Sequence, residues 1–186
     1  MRRLFIGGFV LVAALAVAAP ARPAAQQTVQ PESAGATIAS VRALHGTVTG
    51  FIVKAAAMVP EETYKYQPTP EVRTMGQLFG HIANASRMFC GTATGMTAPE
   101  APNAEELASK AEIQKALDAA VAFCNKAFDS VTPANANEAV TLFGTEHTRL
   151  GALAFNNAHN YEHYGNIVTY MRINGMVPPS SGGGQP

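Results

Sequence analysis

The sequence predicts an all-α protein, a single domain of four helices packed as a bundle, and three observations carry that prediction. Apolar residues recur at steps of three and four nearly everywhere beyond residue 33, which is the helical period. Thr74-Met75-Gly76-Gln77 and Ser109-Lys110-Ala111-Glu112 have the spacing of capping boxes, in which a hydroxyl and a longer side chain satisfy free backbone amides at a helix start. No convincing strand pattern and no internal repeat interrupts the helical reading.

Ahead of the bundle, residues 1–25 read as a secretory signal peptide. Met1-Arg2-Arg3 is basic, Leu4 to Ala19 carries no charge, and Pro20 to Ala25 is rich in alanine. The chain is therefore expected to be exported, to the periplasm or outside the cell, with no membrane contact in its mature form. No later segment reads as long and apolar enough to span a bilayer. The remainder, 26–179, suffices for one domain with a real core, and 180–186 reads as a flexible tail. Basic and acidic residues balance at 13 each, which argues against nucleic acid as a partner, since phosphate neutralisation needs a cationic surface.

The first helix places Ile38, Val41, Leu44, Val48, Ile52, Ala55 and Val59 on one face, and Pro60 stops it. Glu61 to Val72 reads as an irregular connection. The second helix, opened by Thr74, turns Leu78, Ile82, Ala85 and Phe89 inward, and the Gly/Thr/Pro-rich stretch from Gly91 to Pro102 breaks it. The third, opened by Ser109, carries Ile113, Leu117, Ala120, Cys124, Phe128 and Val131, and ends at Thr132-Pro133. The fourth runs from about Thr145 to Asn174 and closes on Gly175, with Pro178-Pro179 beyond it.

Histidines stand out on this framework. His159 and His163, four apart on one helix, project from one face a turn apart, a geometry that chelates one metal ion through two imidazoles. His81 lies on the inward stripe of the second helix, where the pair could meet it. Three neutral imidazoles make the open site that catalytic zinc uses, with the remaining position free for water or substrate. Such a site favours zinc or nickel as the divalent ion, with iron and manganese also within range. His45 faces inward on another helix and reads as a core histidine, and His147 as a surface one. Asn156 shares the ligand face and is a candidate for the substrate pocket. Glu162 is the candidate proton-transfer group, although it is rotated off the histidine face. Tyr64, Tyr66 and Tyr170 read as packing residues.

His159-Asn160-Tyr161-Glu162-His163 also matches H-x-x-E-H, the pattern of inverted zinc peptidases. Those enzymes need a further ligand well downstream. Only 23 residues follow His163, and none is Asp, Glu, His or Cys, so the peptidase reading fails. Cys90 and Cys124 lack the close spacing of a zinc cluster. In an oxidising compartment they are either a disulfide or two buried thiols.

Taken in order, several blocks resemble the DinB-like family. They are Tyr64-Lys65-Tyr66-Gln67-Pro68, Arg73 to Leu78 running into His81-Ile82-Ala83, and the ending from His159 through Glu162-His163-Tyr164-Gly165-Asn166 to Tyr170–Pro179. The resemblance covers the mature chain. It implies a four-helix bundle whose second and third helices are parallel and joined by a long crossover, with the metal ligands falling on His81, His159 and His163. Parallel helices would bring Cys90 and Cys124 to the same end of the bundle, which favours the disulfide; an up-down hairpin would hold them apart. The family resemblance further implies a divalent-metal-dependent enzyme, a hydrolase or a thiol transferase, acting on a small molecule and able to pair as a homodimer. The alternative is a non-catalytic metal- or ligand-binding protein of the cell envelope.

Overall fold

The computed structural model describes residues 31–182; the leader assigned to 1–25 lies outside the described residues, as do the last four. Four helices make the body: α1 Pro31–Met58, α2 Met75–Thr94, α3 Lys110–Asp129 and α4 Arg149–Ile173. A short hairpin, β1 Ala139–Leu142 and β2 Thr145–Thr148, joins α3 to α4.

The helices begin and end where local chemistry says they should. Thr74 and Ser109 both form complete capping boxes with Gln77 and Glu112. α1 ends just before Pro60, which lacks an N–H and disfavours helix in the residue preceding it. α2 runs further than expected, through Gly91 to Thr94, and stops at Gly95 with φ 72°. Gly91 stays helical because its carbonyl accepts the Gly95 amide in the closing turn. α4 starts later than expected, at Arg149 with Thr148 as its cap. Residues 145–148 pair as a strand with 139–142, so the polar loop expected before Gly144 and the first turn assigned to the helix are together a hairpin. Its two-residue turn, Phe143 (φ 52°) and Gly144 (φ 78°), needs positive φ at both positions, and strand alternation overrides the helical reading.

Two further expectations are corrected. Leu44, assigned to the inward stripe of α1, is 52% exposed; in this half of the helix Ile38 supplies the burial. Glu32–Met58 is also long and apolar enough, by length and composition, to cross a membrane. Here its C-terminal half instead seats Val48, Ile52, Ala55 and Ala56 in the core.

The direction of each helix follows from its contacts. A Cβ on Gly76, near the start of α2, would meet Ile113 near the start of α3. Cys90 and Cys124, near their ends, are joined by a disulfide with Cα atoms 5.4 Å apart. α2 and α3 therefore run parallel, bridged by the long crossover through the 3-10 turn Ala104–Glu106. α4 runs against α2, since Tyr170 donates to the Arg73 carbonyl at one end while Phe155 meets Phe89 at the other. Ser180 and Ser181, expected in the tail, are held in a final 3-10 turn by hydrogen bonds with Tyr164 and Arg172.

The core is divided. One apolar cluster gathers Val48, Ile52, Leu78, Phe79, Ile82, Leu117, Ile167 and Met171. The other gathers Phe89, Phe123, Phe128, Leu142 and Leu153 around the disulfide. Between them lies a buried polar layer of His45, Ser86, Asn156, Asn157, Asn160 and His163. Asn157 ties α4 to α1, its Nδ2 donating to the Val41 carbonyl at 2.9 Å and its Oδ1 lying 3.2 Å from His45 Nδ1. This layer explains why α4 is so weakly apolar: its inward face carries amides and an imidazole.

Candidate metal centre

At the edge of the polar layer α2 and α4 bring His81, His159 and His163 together. His159 Nε2 lies 3.2 Å from His81 Nε2 and 3.1 Å from His163 Nε2. The ligand atoms of all three fall within 4.8 Å of one another. Nitrogens bound to one zinc at about 2.0–2.1 Å in a tetrahedron stand roughly 3.3 Å apart, so this spacing suits a single shared ion.

The crossover sets the orientation of His81. Its Nδ1 donates to Glu105 Oε1 at 2.8 Å, which turns Nε2 toward the other histidines. Arg73 Nε donates to the second oxygen of the same carboxylate, also at 2.8 Å. Burial opposes charge on Glu105, yet the hydrogen bonds and charges of Arg73 and His81 hold its carboxyl below the usual range. A carboxylate fixing the far nitrogen of a ligand histidine is the common outer shell of metal sites. Glu105 reaches this place because Gly80 has no side chain. A Cβ there would overlap the Ala104 carbonyl, so only glycine lets the crossover lie against α2. Asn84, one turn on, receives the Ala104 amide and donates to Asn103, pinning the same turn.

The rings of His159 and His163 are driven toward the neutral form. Burial first, and the neighbouring His81 next, lower the pKa of His159. Burial, then His159 and His81, push His163 down to about 4. The Nδ1 of His163 is buried without a hydrogen-bond partner. Three imidazoles converge their Nε2 atoms on one point, and this donor set fits a borderline divalent ion.

A cavity of about 520 Å³ opens beside the cluster, lined by His81, His159, Asn84, Glu105 and an apolar wall that includes Met88, Phe89, Phe143 and Phe155. The residues singled out from the sequence divide at this point. The three histidines meet. Glu162 is exposed and does not line the cavity. Asn156 does not line the cavity: it is fully buried, its Nδ2 3.9 and 4.0 Å from the sulfurs of Cys90 and Cys124. His45 is a core residue, stacked on Phe128. His147 sits half-buried on β2 beside Phe155. Tyr64 and Tyr170 donate to the Ala56 and Arg73 carbonyls and serve packing. Glu105, the carboxylate that does reach the site, went unremarked in the sequence; its only signal is the Asn103 cap on an otherwise aperiodic loop.

A histidine cluster donated by an antiparallel helix pair, inside a bundle with a parallel central pair, defines a recognisable class of protein. Residues 42–167 match the DinB superfamily, and the chain belongs to it. No curated protein matches. Among solved structures the chain is similar to a DinB-like protein from Bacillus cereus (TM-score 0.61, 21% identity, 70% of this chain and 89% of that one). It is also similar to the DinB-like protein YjoA from Bacillus subtilis (TM-score 0.58, 16% identity, 74% and 93%). At those identities the likeness is one of fold.

Proposed function

We propose that the protein is a divalent-metal-dependent enzyme, a hydrolase or a thiol transferase, that acts on a small molecule at the His81/His159/His163 cluster. The convergence of three imidazole Nε2 atoms on one point beside an open cavity carries this reading. When bound there, a divalent ion supplies Lewis acidity. The chain's own residues do the rest. His159 and His163 stay neutral donors, Glu105 and Arg73 lock the His81 tautomer, and the aromatic wall keeps water from one side of the cavity. Zinc and nickel suit the donors best, with iron and manganese less favoured.

Among the described residues Glu105 is the one carboxylate that lines the cavity, and both its oxygens are already engaged. A paired carboxylate of low pKa is a weak general base. This favours the thiol-transfer branch over hydrolysis. It also favours the second reading, a non-catalytic binder of the cell envelope. Export to an oxidising compartment is supported by the Cys90–Cys124 disulfide, since such bonds persist there.

The test is elemental mass spectrometry on protein purified without a histidine tag, beside His81→Ala and His159→Ala/His163→Ala. Near one equivalent of a transition metal is expected in the parent and loss in both variants; no uptake even after reconstitution would overturn the reading. Turnover of an ester or thiol-transfer panel by the loaded parent, lost in the histidine variants, selects the enzyme. Retention of metal and ligand without turnover selects the binder.

A further inference from the structure

The hairpin carries an anomaly at its tip. A two-residue turn with positive φ at both positions takes Asn-Gly or Gly-Gly readily, yet the first position here is Phe143, with φ 52°. A bulky aromatic gains nothing locally from that conformation, and its ring is 72% exposed. It is not idle. Phe143 projects over the metal-site cavity, edge-on to Phe89 at 5.8 Å and near Phe155 at 6.1 Å; Phe155 lies 5.3 Å from Phe89, whose ring meets His159 at 5.2 Å. Phe155 and Met88 are also exposed. These rings form a continuous wall from solvent down to a ligand histidine.

The polar side of the cavity is spent. Asn84 is bonded to Asn103 and Ala104, and Glu105 to His81 and Arg73. Among the described residues no Lys or Arg lines it. What remains open to a guest is apolar surface and the histidine Nε2 atoms. The volume, about 520 Å³, is that of a small-molecule site.

From this we infer that the site takes a molecule with an aromatic or comparably flat apolar body and a single uncharged or monoanionic metal-ligating end, with Phe143 and Phe155 selecting the body. The inference rests on the metal reading above for the ligating end, and on the wall alone for the body. Bulky polyanions, such as phosphate esters, find no countercharge among the described residues that line the cavity.

Phe143→Asn is the informative variant, because asparagine tolerates the turn conformation and removes the ring. Its Tm should equal or exceed the parent's. In metal-free protein, saturation-transfer NMR should show phenylmethanol bound to the parent and lost in Phe143→Asn and Phe155→Ser. In cobalt-loaded protein, followed by the visible spectrum, benzohydroxamate should bind roughly tenfold or more tighter than acetohydroxamate. That preference should fall to about threefold or less in both variants at unchanged cobalt content. Equal affinities in the parent, or a preference that survives in the variants, overturns the inference and leaves the metal reading intact. Failure to take up cobalt overturns the metal reading, and the phenylmethanol arm still decides the wall. Loss of a dimer on sedimentation with ligand preference unchanged makes the aromatic face a contact between copies and also overturns it.

Discussion

Glu105 shows how one side chain sets the chemistry of another. By accepting from His81 Nδ1 it fixes which nitrogen faces the cluster, and Arg73 stops it from turning away. Glu105→Gln should therefore weaken metal affinity about 10–100-fold without unfolding the protein, as removing outer-shell partners generally does; competition with a calibrated chelator measures this. His45 makes a different point. Burial, opposed by its Asn157 hydrogen bond and aided by the Arg42 charge, lowers its pKa below the ordinary 6.5. The unfolded chain thus binds a proton before the folded one does. The stability that His45 contributes is full above pH 6.5 and is lost as pH falls below it, at up to about 1.4 kcal/mol per pH unit for one group. In metal-free protein His159 and His163 act in the same direction. Denaturant titrations from pH 8 to pH 5 should show a shallower slope for His45→Gln than for the parent. The meeting of the three histidines was legible in the sequence because helices have a period: His159 and His163 are one turn apart, and His81 falls on an apolar stripe. Glu105 was not, because a loop has no period to betray which way a side chain points.

At the scale of elements, the site depends on how closely the crossover hugs α2. Gly80 permits that approach, and Gly80→Ala should push Ala104 and Glu105 outward, lowering metal affinity as Glu105→Gln does but with a loss of stability as well. Thermal melts with and without metal separate the two variants. The disulfide clamps the far ends of α2 and α3. Closing a loop of 34 residues, it should contribute about 3–4 kcal/mol by the chain-entropy account, so Cys90→Ser/Cys124→Ser should unfold at markedly lower denaturant. Helix starts at Met75 and Lys110 were legible because their capping boxes are local. The start of α4 was not. The hairpin ahead of it is set by pairing between residues up to nine apart, Ala139 with Thr148, and by a left-handed Phe143 that no propensity favours. Leu44 was misassigned because a stripe drawn along 28 residues drifts, and the N-terminal half of α1 has less of the bundle to face.

Across the whole molecule, the buried polar layer decides how the helices mesh. His45, Asn157, Ser86, Asn160 and Asn156 sit level with one another between two apolar clusters. Sliding one helix by a turn would set amides against Phe128 or Ile82 and leave them unpaired, a penalty apolar side chains alone would not impose. The parallel central pair was reached from family likeness, since no local pattern distinguishes a crossover from a hairpin. In the structure the Cys90–Cys124 disulfide at the far ends of α2 and α3 agrees with it. Their bond also makes residues 90–124 a closed ring containing the whole crossover. Glu100 stands exposed on that ring, within a stretch lacking helix or strand. A glutamate-specific protease cutting there would open the polypeptide without releasing either piece. The nicked protein should migrate as one species on a non-reducing gel and as two after reduction, still folded around its histidines. In the exported setting proposed above, where proteases are common and chaperones scarce, a severed backbone would then be survivable damage.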